Sequence, residues 1–176
     1  MKKLLSSALL LLFTFSLNAQ SLKISAGPEL LRSFHHASTF WGVGATAQAD
    51  VWVKERLGLG INTGFLRFTG MEYLWGADRD ADYNLIPVLG VIRYPLPITK
   101  GLYGQDMMGY TFAQDVVYSA TRSKVSGGFT YYFALGYVIK ERIDVSVKVG
   151  RSRLDKKNNP ANVNEHNLGL KVAWVF

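Results

Sequence analysis

The chain has 176 residues, a formal charge of +7 and no cysteine, a length that suits one domain. Without thiols there is no disulfide, thiolate metal site or lipid-acceptor cysteine. The basic residues are scattered, and no helix-turn-helix or RNP-type pattern accompanies them, which argues against nucleic acid.

Lys2 and Lys3 precede an apolar stretch from Leu4 to Leu17, and Asn18-Ala19-Gln20 ends it. A charged start, an apolar middle and a small residue at the end predict a secretory signal peptide over 1–19, with the exported domain over 20–176. Leu17 is larger than usual at its place before the cut, and the apolar stretch is shorter than the ~20 residues of a spanning helix. No later stretch supplies ~18 consecutive apolar residues. Any membrane-embedded form must therefore be a closed barrel, which satisfies every strand backbone group internally.

The first strand is expected over Ser21 to Leu31, where Leu22, Ile24, Ala26 and Leu30 alternate with Lys23, Ser25, Gly27 and Glu29. Pro28 falls on the outward row and predicts a bulge. Ser33 to Thr39 reads as a short polar loop, and Phe40 to Val53 as a second strand whose period of two persists for more than ten residues. That is long for a soluble strand and suits a tilted spanning one. After the charged turn Lys54-Glu-Arg56, a third strand is predicted over Leu57 to Thr69, and then an acidic loop over Met71 to Asp82. Tyr83 to Tyr94 is the fourth strand, ended by Pro95-Leu-Pro97.

The fifth strand, Gly101 to Ala113, is the least clear, because Asp106 breaks either face and three glycines lower its propensity. A polar loop over Gln114 to Lys124 leads to a strong strand over Val125 to Ile139. Beyond the turn Lys140-Glu-Arg142, Ile143, Val145, Val147 and Val149 alternate with Asp144, Ser146, Lys148 and Gly150. Leu154 to Asn164 is expected to be a hydrophilic loop, and Glu165 to Phe176 the eighth strand. In this last strand Leu168, Leu170, Val172, Trp174 and Phe176 form one face, and Asn167, Gly169, Lys171, Ala173 and Val175 the other. Short connections at 54–56, 95–99 and 140–142 alternate with mostly longer ones.

That alternation, the leader, the pattern from Phe129 through Lys140-Glu-Arg142 to Val149 and the ending Val172-Ala-Trp-Val-Phe176 together resemble the small outer-membrane barrels of the OmpA and OmpX type. The resemblance implies an all-β, eight-stranded antiparallel up-and-down transmembrane β-barrel in the bacterial outer membrane, with short periplasmic turns and longer extracellular loops. It also implies that Trp174 and Phe176 belong to the signal read by the barrel-assembly machinery during insertion.

A lumen of eight strands is just wide enough to be filled by side chains. The inward row is predicted to include Lys23, Glu29, Asp50, Arg93, Asp144, Lys148 and Lys171, with Thr46, Gln48, Asn62, Ser146 and Asn167. Opposite charges there are expected to pair, since an unpaired ion in a confined interior is costly. The outward aromatics Trp41, Phe65, Tyr94, Phe129, Tyr137 and Trp174 are expected to meet lipid and form interfacial girdles.

Several groups invite chemistry. His36 and Ser38 have the His-x-Ser spacing of barrel lipid-A deacylases, but they fall in a loop with no glutamate partner, so solvated loop histidines are the better reading. Asp78, Asp80 and Asp82 resemble the start of a calcium loop, yet the required glycine and closing glutamate are missing and Arg79 intervenes. No catalytic, metal or cofactor site is predicted. Tyr73 and Trp75, in the longest loop, are candidate contacts for a partner.

The expected function is a non-enzymatic outer-membrane barrel with a sealed polar interior, acting in envelope structure or in surface or partner interaction through its loops. An accessory subunit of a larger envelope complex, a lipid-A-modifying enzyme and a narrow channel are the alternatives. Expected partners are outer-membrane lipid, the assembly machinery and an envelope protein; nucleic acid is not among them.

Overall fold

Alternation with a period of two sends successive side chains to opposite faces of a strand. Eight antiparallel strands result: β1 (Ser21–His35), β2 (Ser38–Val53), β3 (Leu57–Met71), β4 (Tyr83–Pro95), β5 (Leu102–Gln114), β6 (Val125–Ile139), β7 (Ile143–Lys156) and β8 (Asn159–Val175). This computed structural model describes residues 21–35, 38–53, 56–71, 83–114, 125–156 and 159–176. The predicted leader, the acidic residues Asp78, Asp80 and Asp82, His36, Tyr73 and Trp75 lie outside the described residues.

Each strand pairs with the next, and β1 pairs with β8, closing an all-β up-and-down barrel. Closure runs from Ser25 opposite Val175 to Phe34 opposite His166. The Phe176 N–H extends it by donating to the Ile24 carbonyl at 2.9 Å. Below, the lower end is the one carrying Ser21, Phe176 and the connections 54–56, 96–101 and 140–142; the upper end lies opposite.

Several strands outrun their predicted upper limits. Ser33, Phe34 and His35 pair with Phe40, Thr39 and Ser38, so most of the expected 33–39 loop belongs to the β1–β2 ladder. Likewise Leu154 lies opposite Val163 and Lys156 opposite Asn159, where a hydrophilic loop was expected. Strand pairing needs no apolar outer row once the strand rises past the apolar belt, so polarity is a poor loop signal there. The bulge expected at Pro28 is absent, because the β1–β2 register continues from Gly27 opposite Thr46 to Glu29 opposite Gly44. Pro28 instead stands where the β1–β8 ladder omits pairs, as a residue lacking an N–H allows. The register shifts fall at Val125/Gly127 and Leu154/Lys156.

The outer rows are apolar on most strands. Leu22, Ile24 and Leu30 on β1, Phe129, Phe133 and Leu135 on β6, Val147 and Val149 on β7, and Leu168, Leu170, Val172 and Trp174 on β8 are all exposed. From Leu168 to Phe176 the row runs ~26 Å along the strand, or roughly 20 Å along the axis at a tilt near 40°. Asp106 faces outward too, half-buried and in register between Ile92 and Phe133. Of the predicted outward aromatics, Trp41, Phe65, Phe129, Tyr137 and Trp174 are exposed and Tyr94 half-buried against Gly104.

Some glycines let the strands coil tightly enough to close. A Cβ on Gly44 would stand 1.9 Å from the Phe65 carbonyl oxygen, whereas one on Gly90 would meet nothing nearer than 3.6 Å. Gly44→Val is therefore expected to lower the folded, heat-modifiable fraction sharply in detergent refolding followed by electrophoresis, and Gly90→Val to leave it near the native level. The β6–β7 connection, residues 140–142, holds Lys140 at φ 47° and Glu141 at φ 61° and is closed by the Arg142 N–H donating to the Ile139 carbonyl at 3.0 Å; two successive positive φ values favour glycine at the second position. Glu141→Gly should raise stability by about 1 kcal/mol in urea unfolding, because it relieves a left-handed side-chain clash.

Candidate functional site

The inward rows divide the lumen into two layers. The lower layer is polar and centres on Arg93 of β4, whose guanidinium lies 3.1 Å from Asp144 and 3.5 Å from Asp50. Its Nε donates to Gln105 at 2.8 Å, and the Tyr103 hydroxyl donates to Asp144 at 2.5 Å. Gln48 donates to both Asp50 and Gln105, and Asn62 donates to Gln48. Arg93 also stacks 4.1 Å from the Tyr103 ring. A planar guanidinium with several fixed donors can serve two carboxylates and an amide at once, which a single ammonium cannot do in the same geometry.

A second polar group lies across the lumen. Lys148 of β7 pairs with Glu29 of β1 and sits 4.3 Å over the Tyr132 ring. The Thr46 hydroxyl donates to the other Glu29 oxygen at 2.8 Å. Lys171 is buried in register with Glu29. Thus Glu29, Asp50, Arg93, Asp144, Lys148 and Lys171 are all buried inside the barrel, and Arg93 draws Asp50 and Asp144 into one network. Lys23 differs: it is exposed at the lower mouth, with its ammonium 5.1 Å from the Trp52 ring.

The upper layer departs from the expected polar interior. Leu31, Leu66, Phe68, Tyr83, Leu85 and Leu154 form one buried apolar cluster. Phe68 and Tyr83 stack at 4.9 Å, nearly parallel. The Phe68 ring covers Gly42 on β2, since a Cβ there would meet it at 2.6 Å. On the other side of this layer Tyr83 donates to Glu165 at 2.9 Å, and Asn167 donates to Tyr132 and Ser152. A further buried cluster, Leu89, Val91, Met107, Tyr132 and Ala134, continues the apolar filling beside the polar network.

At the lower end lies a vestibule of about 820 Å³, lined by Lys23, Asp50, Trp52, Arg93, Tyr103, Lys140 and Glu141 among others. Asp50, Arg93 and Tyr103 belong to the polar network, so the network forms the inner limit of this vestibule.

Sequence reading did not assign Glu165, Tyr103, Gln105 or Tyr132 to the interior network. Glu165 could have been found by continuing the Asn167, Gly169, Lys171 row upward by one step. Tyr103 and Gln105 were hidden by the outward Asp106 and by glycines that blur the period of β5. Trp174 is exposed on the outer wall, and Phe176 is exposed at the lower rim.

The network makes a stability prediction. Arg93→Ala leaves Asp50 and Asp144 buried without their shared cation and should cost about 3–5 kcal/mol, measured by urea unfolding from lipid vesicles.

No family model matches the chain, and no curated protein matches its sequence. Solved structures do match in shape. The attachment invasion locus protein Ail of Yersinia pestis is 13% identical, with a TM-score of 0.61 over 88% of this chain and 97% of that one. Neisserial surface protein A is 10% identical, with a TM-score of 0.59 over 89% and 97%. The outer membrane protein OprG of Pseudomonas aeruginosa is 12% identical, with a TM-score of 0.50 over 88% and 95%. At such identities the likeness is one of architecture, and the chain has the fold of the small eight-stranded outer-membrane β-barrels.

Proposed function

We propose that the protein is a non-enzymatic integral barrel of the bacterial outer membrane, with a filled lumen, acting in envelope structure or surface interaction through the connections at its upper end. The observation that carries this reading is the pairing of an apolar outer wall with an interior that is both charge-paired and packed. An apolar wall of this kind is stable against lipid hydrocarbon, and closure leaves no strand edge unsatisfied there.

In this reading the lower end, with both described termini, faces the periplasm. Tyr73 and Trp75 then lie in the connection between β3 and β4 on the outer side, available to an envelope protein or another surface partner. Trp174 on the last strand and Phe176 just after it take the assembly-signal role that the family resemblance implies.

The stacked Phe68 and Tyr83 with Leu31, Leu66, Leu85 and Leu154 favour a closed lumen over a channel, since an apolar constriction resists wetting and ion entry. Two measurements test the proposal. Cell fractionation should recover the protein with the outer membrane as a heat-modifiable species, and recovery as a soluble periplasmic protein would contradict the membrane reading. Purified protein in planar bilayers should show no sustained conductance; steady ohmic channels at modest voltage would contradict the filled lumen.

A further inference from the structure

The vestibule at the lower end, about 820 Å³ in volume, falls within the size range of small-molecule sites. Its floor is the Arg93 network, and its wall is built from the ends of inward rows: Lys23 and Ser25 on β1, Asp50 and Trp52 on β2, and Val175 on β8. The ladders set these side by side, because Ser21 pairs with Trp52, Lys23 with Asp50 and Ser25 with Val175.

Two donors in this wall have no acceptor among the described residues. Ser25 is 4% exposed, and its hydroxyl has no hydrogen-bond partner; the Trp52 indole N–H, equally shielded from water, has none either. A buried polar group without a partner is costly and rare in folded proteins. Ammonium charge accompanies these donors. Asp50 faces Lys23 across the ladder, but its carboxylate is held by Arg93 at 3.5 Å and by Gln48 at 2.9 Å. Lys23 lies 5.1 Å over the Trp52 ring and has no carboxylate partner among the described residues. At the rim Glu141 pairs with Lys100 at 3.5 Å, and Lys140 has no acid partner among the same residues. The acids of the vestibule are therefore paired, whereas two ammonium groups, an indole N–H and a hydroxyl are not.

We propose that the lower vestibule binds a carboxylate carried on an apolar or aromatic body. The Lys23 ammonium and the Trp52 and Ser25 donors hold the carboxylate, and the body lies against the Trp52 ring and Val175. A carboxylate suits this wall better than a phosphate does. It accepts on two oxygens while carrying one charge, whereas a dianion is repelled more strongly by the Asp50 carboxylate in the same wall. The site goes beyond the role proposed for the upper connections. With this end toward the periplasm, the carboxylate belongs to a small periplasmic acid or to the free C-terminus of a peptide.

The test titrates the purified full chain in detergent micelles by calorimetry. The probes are 3-phenylpropanoate, its uncharged amide, inorganic phosphate, and an alanyl-alanyl-phenylalanine peptide with a free or an amidated C-terminus. 3-Phenylpropanoate should bind with a Kd of about 1 mM or tighter, and its amide about tenfold more weakly. Tighter binding of the free peptide than of 3-phenylpropanoate assigns the site to peptides, and the reverse order assigns it to small acids. Lys23→Gln should weaken binding of 3-phenylpropanoate about tenfold, and Lys23→Arg should hold it within about threefold of native. Trp52→Phe, which keeps a ring and removes the N–H, should weaken it about threefold. Arg56→Gln, at the same end but outside the vestibule lining, should change it by less than about twofold. Heat-modifiable mobility reports that each variant is folded, and Lys23 is exposed at the mouth, so its replacement spares the packed interior. Equal binding of acid and amide, tighter binding of inorganic phosphate, or unchanged binding in folded Lys23→Gln would each overturn the proposal. Because the titration is made in micelles, absent binding sinks this inference alone, and protein missing from the outer-membrane fraction sinks the membrane reading alone.

Discussion

Closure of β1 on β8 is the constraint on which the rest of the molecule depends. A sheet in hydrocarbon cannot leave an edge, because each unsatisfied backbone group there costs several kcal/mol. The ladder from Ser25 opposite Val175 to Phe34 opposite His166 removes that edge. Once the sheet is closed, the period of two becomes an inside and an outside. Leu168, Leu170, Val172 and Trp174 must then tolerate lipid, while Glu165, Asn167 and Lys171 must find partners in a confined lumen.

The lumen meets that demand in two ways. Near the lower end the partners are charges, and Arg93 joins strands far apart in sequence by holding Asp50 of β2 and Asp144 of β7. Near the upper end the filling is apolar and depends on ring size. Phe68 fits because Gly42 opposite it has no side chain, and at the lower end Tyr103 lies against Gly136 in the same manner. Neither layer would suffice alone, since buried charge is stabilising only when its partners are fixed and apolar packing holds its density only without voids. The filled interior leaves the outer wall, the mouths and the upper connections as the surfaces for recognition.

Much of this was legible in the sequence because lipid and lumen impose opposite demands on alternate residues. Val145, Val147 and Val149 against Asp144, Ser146 and Lys148 state the fold of β7 almost completely. The same logic fails above the belt, where both rows face polar surroundings and hydrophobic periodicity fades. Ser33 to His35 and Leu154 to Lys156 therefore read as loop although they are paired strand. The apolar upper layer was hidden for a different reason. Whether an inward Phe68 or Tyr83 fits depends on which glycine or small residue lies across from it, and that is a property of register between strands.

Whether one row of each strand meets lipid while the other meets a filled lumen can be measured directly, because the chain lacks cysteine. Single cysteines placed in turn from 167 to 174 on β8, each carrying a spin label in reconstituted bilayers, report collision with lipid-soluble oxygen and with a water-soluble nickel chelate. Oxygen accessibility is expected at positions 168, 170, 172 and 174, and low accessibility to both reagents at 167, 169, 171 and 173. Strong collision with the nickel chelate along the inward row would contradict the filled lumen, and strong collision along the outward row would contradict a membrane-spanning barrel.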